Sequence, residues 1–204
     1  MIRFKYVSLS FTNNIFDSQC GITSKVSQLV CMNSNRNPNS YAIWFIPNGK
    51  KFLLLEKKII ETSQFFQGIK FIPHVTLISN IGCGQKFLFK KVRRIAKTIP
   101  AFKIYFGEVD YSNEFFQSFF IKVKLNNQLT YARKIALMNF PEINHDFKPH
   151  LSLAYGNMND KMKKNLKEKV QTPIKFFKAK ELYLVYNDEI NFKWKIIDKF
   201  RLEK

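Results

Sequence analysis

From residue 41 onward, apolar and polar positions follow two periods, one near two residues and one near 3.6. Residues 41–47 (Tyr-Ala-Ile-Trp-Phe-Ile-Pro) form a short aromatic and apolar run that predicts a buried strand. Over residues 49–63, Phe52, Leu55 and Ile59 recur at helical spacing with lysines between them, which predicts a helix. Residues 71–79 read as a strand. Residues 85–98 read as a basic amphipathic helix: Phe87, Val92 and Ile95 face inward, and Lys86, Lys90, Lys91, Arg93, Arg94 and Lys97 face outward. The second half repeats the plan. Strands are predicted at 102–111 and 115–125, a helix at 129–138, a strand at 149–155 and a Lys-rich helix at 159–170. In the 115–125 strand, Phe116, Ser118, Phe120, Lys122 and Lys124 share one face, leaving Gln117 on the other. Two final strands, 181–186 and 192–200, follow, with a hairpin turn at Asn187-Asp188. Strand–helix–strand–helix thus occurs twice, an α+β plan of two pseudo-twofold lobes with helices outside.

A chain of 204 residues suits one domain or a small two-lobed one. With 46% hydrophobic residues and 22 Phe there is ample apolar surface for a core, so the chain is not disordered by composition. Lys+Arg outnumber Asp+Glu by 34 to 15, a net charge of +19. That balance fits a polyanionic partner such as RNA, a nucleotide or a membrane surface, and equally a Lys-, Asn-, Ile- and Phe-rich composition with no partner behind it. Cys20, Cys31 and Cys83 form no C-x-x-C pair and have no neighbouring His, which excludes a disulfide framework or zinc site and suits a reducing compartment. No apolar run reaches the roughly eighteen residues of a membrane span, so no membrane insertion is expected. Residues 1–40 are basic, hydroxyl-rich and nearly free of acids, and end in a polar stretch, 33–40. They read as a flexible N-terminal extension, either an organelle transit peptide or a plain tail, preceding a folded domain at 41–204. The expected compartment is otherwise the cytoplasm, and the expected state a monomer.

One phrase is written twice. Phe71-Ile72-Pro73-His74-Val75-Thr76-Leu77 and Phe147-Lys148-Pro149-His150-Leu151-Ser152-Leu153 both read F-x-P-H-apolar-hydroxyl-L, and they hold two of the three histidines. In a strand, residues i and i+2 point the same way. His74 therefore shares a face with Thr76, and His150 with Ser152, while Val75, Leu77, Leu151 and Leu153 enter a core. The prolines, which cannot donate to a ladder, belong at the strand starts.

Two imidazoles on opposite sides of a phosphodiester can divide the work of hydrolysis. The neutral ring takes a proton from water and the protonated ring gives one to the departing oxygen. The Thr76 and Ser152 hydroxyls can donate to the non-bridging phosphoryl oxygens. No metal or cofactor is called for, and no third ligand at short spacing accompanies the histidines. His145, in a loop without the phrase, is expected to be solvent-exposed. The sequence leaves the assignment of base and acid open; the reading adopted is His150 as base and His74 as acid.

The paired H-x-[ST]-L phrases resemble those of the two-histidine (2H) phosphoesterase superfamily. The span from about Tyr41 to Phe200, with its first-strand Trp44, Phe115-Phe116-Gln117 and the Tyr155 after the second phrase, is most similar to the plant and yeast cyclic phosphodiesterases. The resemblance implies two lobes of antiparallel sheet lining a central cleft with helices outside. It implies metal-independent opening of ADP-ribose 1″,2″-cyclic phosphate, left by transfer RNA splicing, and of nucleoside 2′,3′-cyclic phosphates. His74 and His150 match its catalytic histidines, Thr76 and Ser152 its phosphate-binding hydroxyls, and Tyr155 a tyrosine near the phosphate. Trp44 and Phe116 match cleft aromatics that could contact base or ribose, although either could instead be core. Residues 1–40 have no counterpart in it. The high charge keeps two alternatives open: an RNA-end enzyme (2′-5′ RNA ligase-like or a 3′-end phosphodiesterase) that holds RNA through a basic rim, or a non-catalytic RNA- or nucleotide-binding protein.

Overall fold

The computed structural model describes residues 39–82 and 87–203. The aromatic run becomes β1 (Asn39–Phe45), followed by α1 (Gly49–Ser63), β2 (Val75–Gly82), α2 (Leu88–Thr98), β3 (Phe102–Tyr111), a 3-10 turn (Phe115–Gln117) and β4 (Phe119–Lys124). Then come α3 (Asn127–Asn139), β5 (His150–Ala154), α4 (Asp160–Lys169), β6 (Phe176–Ala179), β7 (Glu181–Asp188) and β8 (Lys193–Arg201). The strands form two four-stranded antiparallel sheets, in the orders β2-β1-β7-β8 and β5-β4-β3-β6. The last hairpin thus returns to complete the first lobe. The histidine strands β2 and β5 are the edge strands of their sheets, and they lie against each other.

The helices tie the lobes together. α1, from the first half, packs on β5, while α3, from the second half, packs on β2. Each histidine strand is thereby backed by the other half's helix. Asn126 caps α3 by accepting from the Leu129 amide at 2.8 Å, and Asn159 caps α4 by accepting from the Met162 amide at 2.9 Å. One core runs through both lobes, built on Phe45, Leu55, Leu77, Ile95, Phe119, Phe140, Leu151 and Leu153. Val75, Leu77, Leu151 and Leu153, the apolar members of the two phrases, are all fully or almost fully buried in it. The chain leaves β5 through Gly156, at φ +117, where an added Cβ would come within 2.9 Å of Gln67.

Several expectations change. The 115–125 strand is interrupted: residues 115–117 form a 3-10 turn, so the alternation expected of Phe116 and Gln117 is lost. Phe87 stands before α2 in the left-handed region (φ 63) and is exposed, not inward. Asn187 and Asp188 belong to β7, and the turn lies at residues 189–192, with Asp188 Oδ1 accepting from the Asn191 amide at 3.1 Å. β6, too short and too lysine-punctuated to stand out in the sequence, is an added strand. β1 starts at Asn39, two residues inside the span assigned to the N-terminal extension; residues 1–38 and the three cysteines lie outside the described residues.

Arg133 of α3 is 5% exposed and reaches across to two carbonyls. Its Nη1 donates to Leu77 O at 2.8 Å and its Nη2 to His145 O at 3.1 Å, while the guanidinium lies 5.0 Å from the centre of the Phe147 ring. It therefore joins the end of the first phrase to the start of the second. Replacing Arg133 by alanine removes both donors and the packed stem. The expected loss is about 1–3 kcal/mol of unfolding free energy in urea denaturation; a loss below about 0.5 kcal/mol, the scale of an ordinary surface change, would show that these ties are not structural.

Candidate active site

His74 lies just before β2 and His150 opens β5. Each ring is fixed by its own backbone: His74 Nδ1 is 2.7 Å from Ile72 O and His150 Nδ1 is 2.8 Å from Lys148 O. The same i to i−2 contact occurs twice because the same X-Pro-His turn occurs twice. A carbonyl can only accept, so Nδ1 carries hydrogen in both rings, and Nε2 is the nitrogen that bears the lone pair when the ring is neutral. Both histidines line one cavity of about 120 Å³, together with Thr76, Ser152, Tyr155, Trp44 and Phe116. All seven residues singled out in the sequence thus meet at one place.

The surroundings of the two rings differ. His74 stacks on Trp44, with ring centroids 3.5 Å apart and an interplanar angle of 10°. Trp44 is 3% exposed and backed by Ala42 and Val185, so its ring supports the histidine and offers no open face to a base. His74 itself is 7% exposed. Burial pushes its pKa down to about 4, against a smaller upward pull from the Ile72 carbonyl, and a charge on His150 lowers it further. His150 is half-buried, with the Phe120 ring edge-on at 5.4 Å.

The hydroxyls differ too. Ser152 is buried and donates to Phe116 O at 3.1 Å, so it must rotate to meet a phosphoryl oxygen. Thr76 is half-buried at the cavity wall, its Cα in register with that of Trp44 across β1 and β2. Tyr155 stacks on Phe71, the first residue of the first phrase, at 3.9 Å and 22°. Phe116 meets Tyr155 edge-on at 5.3 Å and stays half-buried at the cavity.

Five further residues line the cavity: Ser79, Gln117, Asn187, Glu189 and Trp194. Gln117 arrives because the 3-10 turn cancels strand alternation. Asn187 and Trp194 arrive from the last hairpin, Cα partners across β7 and β8, and no local signal marks them. The cavity opens into a groove of about 490 Å³ that shares Thr76, Ser79, Gln117 and His150 with it and is walled by the 142–148 loop. His145, exposed as expected, lies in that wall. The basic helix α2 contributes no residue to either chamber. Among the described residues no three His, Cys, Asp or Glu side chains gather as a metal site, and no helix is long and apolar enough to cross a membrane.

The chain is similar to known proteins in sequence and in fold. Residues 39–203 match the family model described as cyclic phosphodiesterase-like protein. The Arabidopsis thaliana cyclic phosphodiesterase is 24% identical over 133 residues, covering 65% of this chain and 74% of that protein. Among solved structures, Escherichia coli LigT complexed with 3′-AMP superposes with a TM-score of 0.54 at 12% identity, covering 82% of this chain and all of LigT. A Thermus thermophilus protein gives 0.54 at 15% identity, covering 80% and 97%. These two structures share the two-lobed fold, and the family match spans both histidine phrases and every strand described above: the chain belongs to the cyclic phosphodiesterase-like family, within the 2H phosphoesterases.

Proposed function

We propose that the protein hydrolyses nucleoside 2′,3′-cyclic phosphates, ADP-ribose 1″,2″-cyclic phosphate, or both, to phosphomonoesters, using His74 and His150 as the acid–base pair and no metal. The observation that carries this reading is the pair of backbone-fixed imidazoles lining one cavity. The phosphate sits between the rings. Water attacks phosphorus in line with the bond to one ribose oxygen. One Nε2 accepts the water proton as the new P–O bond forms, the other Nε2–H protonates the departing oxygen, and the ring opens. Thr76 and, after rotation, Ser152 donate to the non-bridging oxygens as charge grows there. Tyr155 closes the aromatic end of the cavity. The Arabidopsis relative's name and the 3′-AMP bound to LigT agree with a nucleotide substrate.

Burial supports His74 as the base, the reverse of the assignment adopted from sequence. A ring held neutral down to about pH 4 has its Nε2 lone pair available throughout the physiological range. His150, the less buried ring, is then the acid.

Incubation with 2′,3′-cyclic AMP in excess EDTA should give adenosine monophosphate, and His74→Ala or His150→Ala should each lower kcat/KM by about 10²-fold or more. Binding without turnover at any pH from about 5 to 9 would favour the non-catalytic binder. The roles separate on a phosphodiester with a nitrophenol leaving group, which departs without a proton. There His150→Ala should recover most of the wild-type rate and His74→Ala should not; the opposite pattern restores the assignment adopted from sequence.

The depressed His74 pKa also sets a stability window. Above the ordinary histidine value, folded and unfolded chains both hold the ring neutral. As pH falls from about 6.5 towards 4, the unfolded chain takes up a proton that the folded one refuses, so stability drops. Over that range the wild type should lose up to about 3 kcal/mol more than His74→Gln, as read from urea midpoints. Parallel curves would show that His74 is not held neutral by the fold.

A further inference from the structure

Asn187 is a polar side chain at a place where the fold alone would favour an apolar one. It is 5% exposed, and its side-chain oxygen has no hydrogen-bond partner among the described residues. Val185 on the same face of β7, and Ala42 opposite Val185 on β1, are both fully buried. Leaving a buried acceptor unpaired costs at least what a hydrogen bond is worth, and an apolar residue of similar size avoids that cost. Asn187 lines the catalytic chamber, so a group that enters the chamber can satisfy it. Rotation about χ2, a soft torsion in Asn, turns either the oxygen or the NH2 group towards the chamber.

The sheet register decides which part of a substrate reaches Asn187. Trp44 stands opposite Thr76 and stacks on His74, so it marks the phosphate end of the chamber. Asn187 pairs with Ser40, four residues before Trp44 on β1, and so lies about 13 Å along the strand from that end. A hydroxyl on the cyclised ribose stays close to the phosphate. A nucleobase, attached on the far side of the ribose ring, extends towards Asn187.

Trp194 is the Cα partner of Asn187 across β7 and β8, so the two side chains share a face with their Cβ atoms about 5 Å apart. Its indole is half-buried and lines the chamber. Phe71, Phe116 and Tyr155 meet it at interplanar angles of 70°, 89° and 48°, so among the described residues no ring lies flat on it, in contrast with Trp44 under His74. The hairpin that carries the pair is held against the other lobe. Phe192, in the left-handed region at φ 50, stacks on Phe115 of the 3-10 turn at 5.6 Å and 19°.

We propose that Asn187 and Trp194 form the nucleobase subsite: the indole stacks on the base, and the Asn187 amide hydrogen-bonds to its edge. Every nucleobase offers a π-face and an N–H on its pairing edge, so both contacts are open to all four bases. This rests on the hydrolytic reading given above and names the part of a nucleoside 2′,3′-cyclic phosphate that the site reads beyond the phosphate.

The test compares kcat/KM for 2′,3′-cyclic AMP and for methyl ribofuranoside 2,3-cyclic phosphate, which keeps the ribose and the cyclic phosphate but has no base. The wild type, Asn187→Val, Asn187→Ser and Trp194→Leu are measured on both. The wild type should prefer the base-bearing substrate by about tenfold or more. Each variant should shrink that preference by about fivefold or more, chiefly through KM. The urea midpoint of Asn187→Val should equal or exceed that of the wild type, because an unpaired buried acceptor is removed. A wild type indifferent to the base, a preference kept by either Asn187 variant or by Trp194→Leu, or a lower urea midpoint for Asn187→Val would overturn the inference, and hydrolysis of both substrates would leave the hydrolytic reading intact. Failure of the wild type to cleave either substrate would overturn both.

Discussion

Each of the two phrase histidines is held by a carbonyl two residues before it, and the proposed chemistry depends on that short contact. It selects the tautomer and makes ring position a property of the backbone. A proline between the carbonyl residue and the histidine limits the backbone at both turns. Once the two turns are built, placing the rings across from each other is a matter of sheet order. β2 and β5 are edge strands that meet, and each is backed by the helix of the other half.

The matched phrases are not used identically. Phe71 stacks on Tyr155, which follows the second phrase, whereas Phe147 lies against Arg133. His74 is stacked and dry; His150 is wetter. This asymmetry fits the proposed roles: a twofold-symmetric pair would give both rings the same proton affinity, while the proposed hydrolysis needs one to take a proton and the other to give one. The Trp44 face that could have stacked a nucleobase is instead covered by His74.

Much of this was legible in the sequence because the repeated phrase is local. The i, i+2 rule brought Thr76 and Ser152 to the same cavity as the histidines, and the helical spacing of Phe52, Leu55 and Ile59 gave α1 its observed bounds. Misreadings fell where tertiary placement overrides local pattern. The 3-10 turn at Phe115–Gln117 breaks an apparently regular strand and brings Gln117 to the cleft. Asn187 resembles a turn residue, yet it is a buried strand residue that reaches the site because β7 pairs with β1. Net charge says less for a related reason: it sums the whole chain, whereas a substrate meets only the walls of the cleft.

The central claim, that the two histidines act as one unit on one phosphate, is tested most directly by a double-mutant cycle. kcat/KM for 2′,3′-cyclic AMP is measured for wild type, His74→Ala, His150→Ala and the double variant. If the rings share one proton-transfer event, the double variant is no slower than the slower single variant within about threefold. Rate losses that multiply in full would show two independent roles and contradict the account.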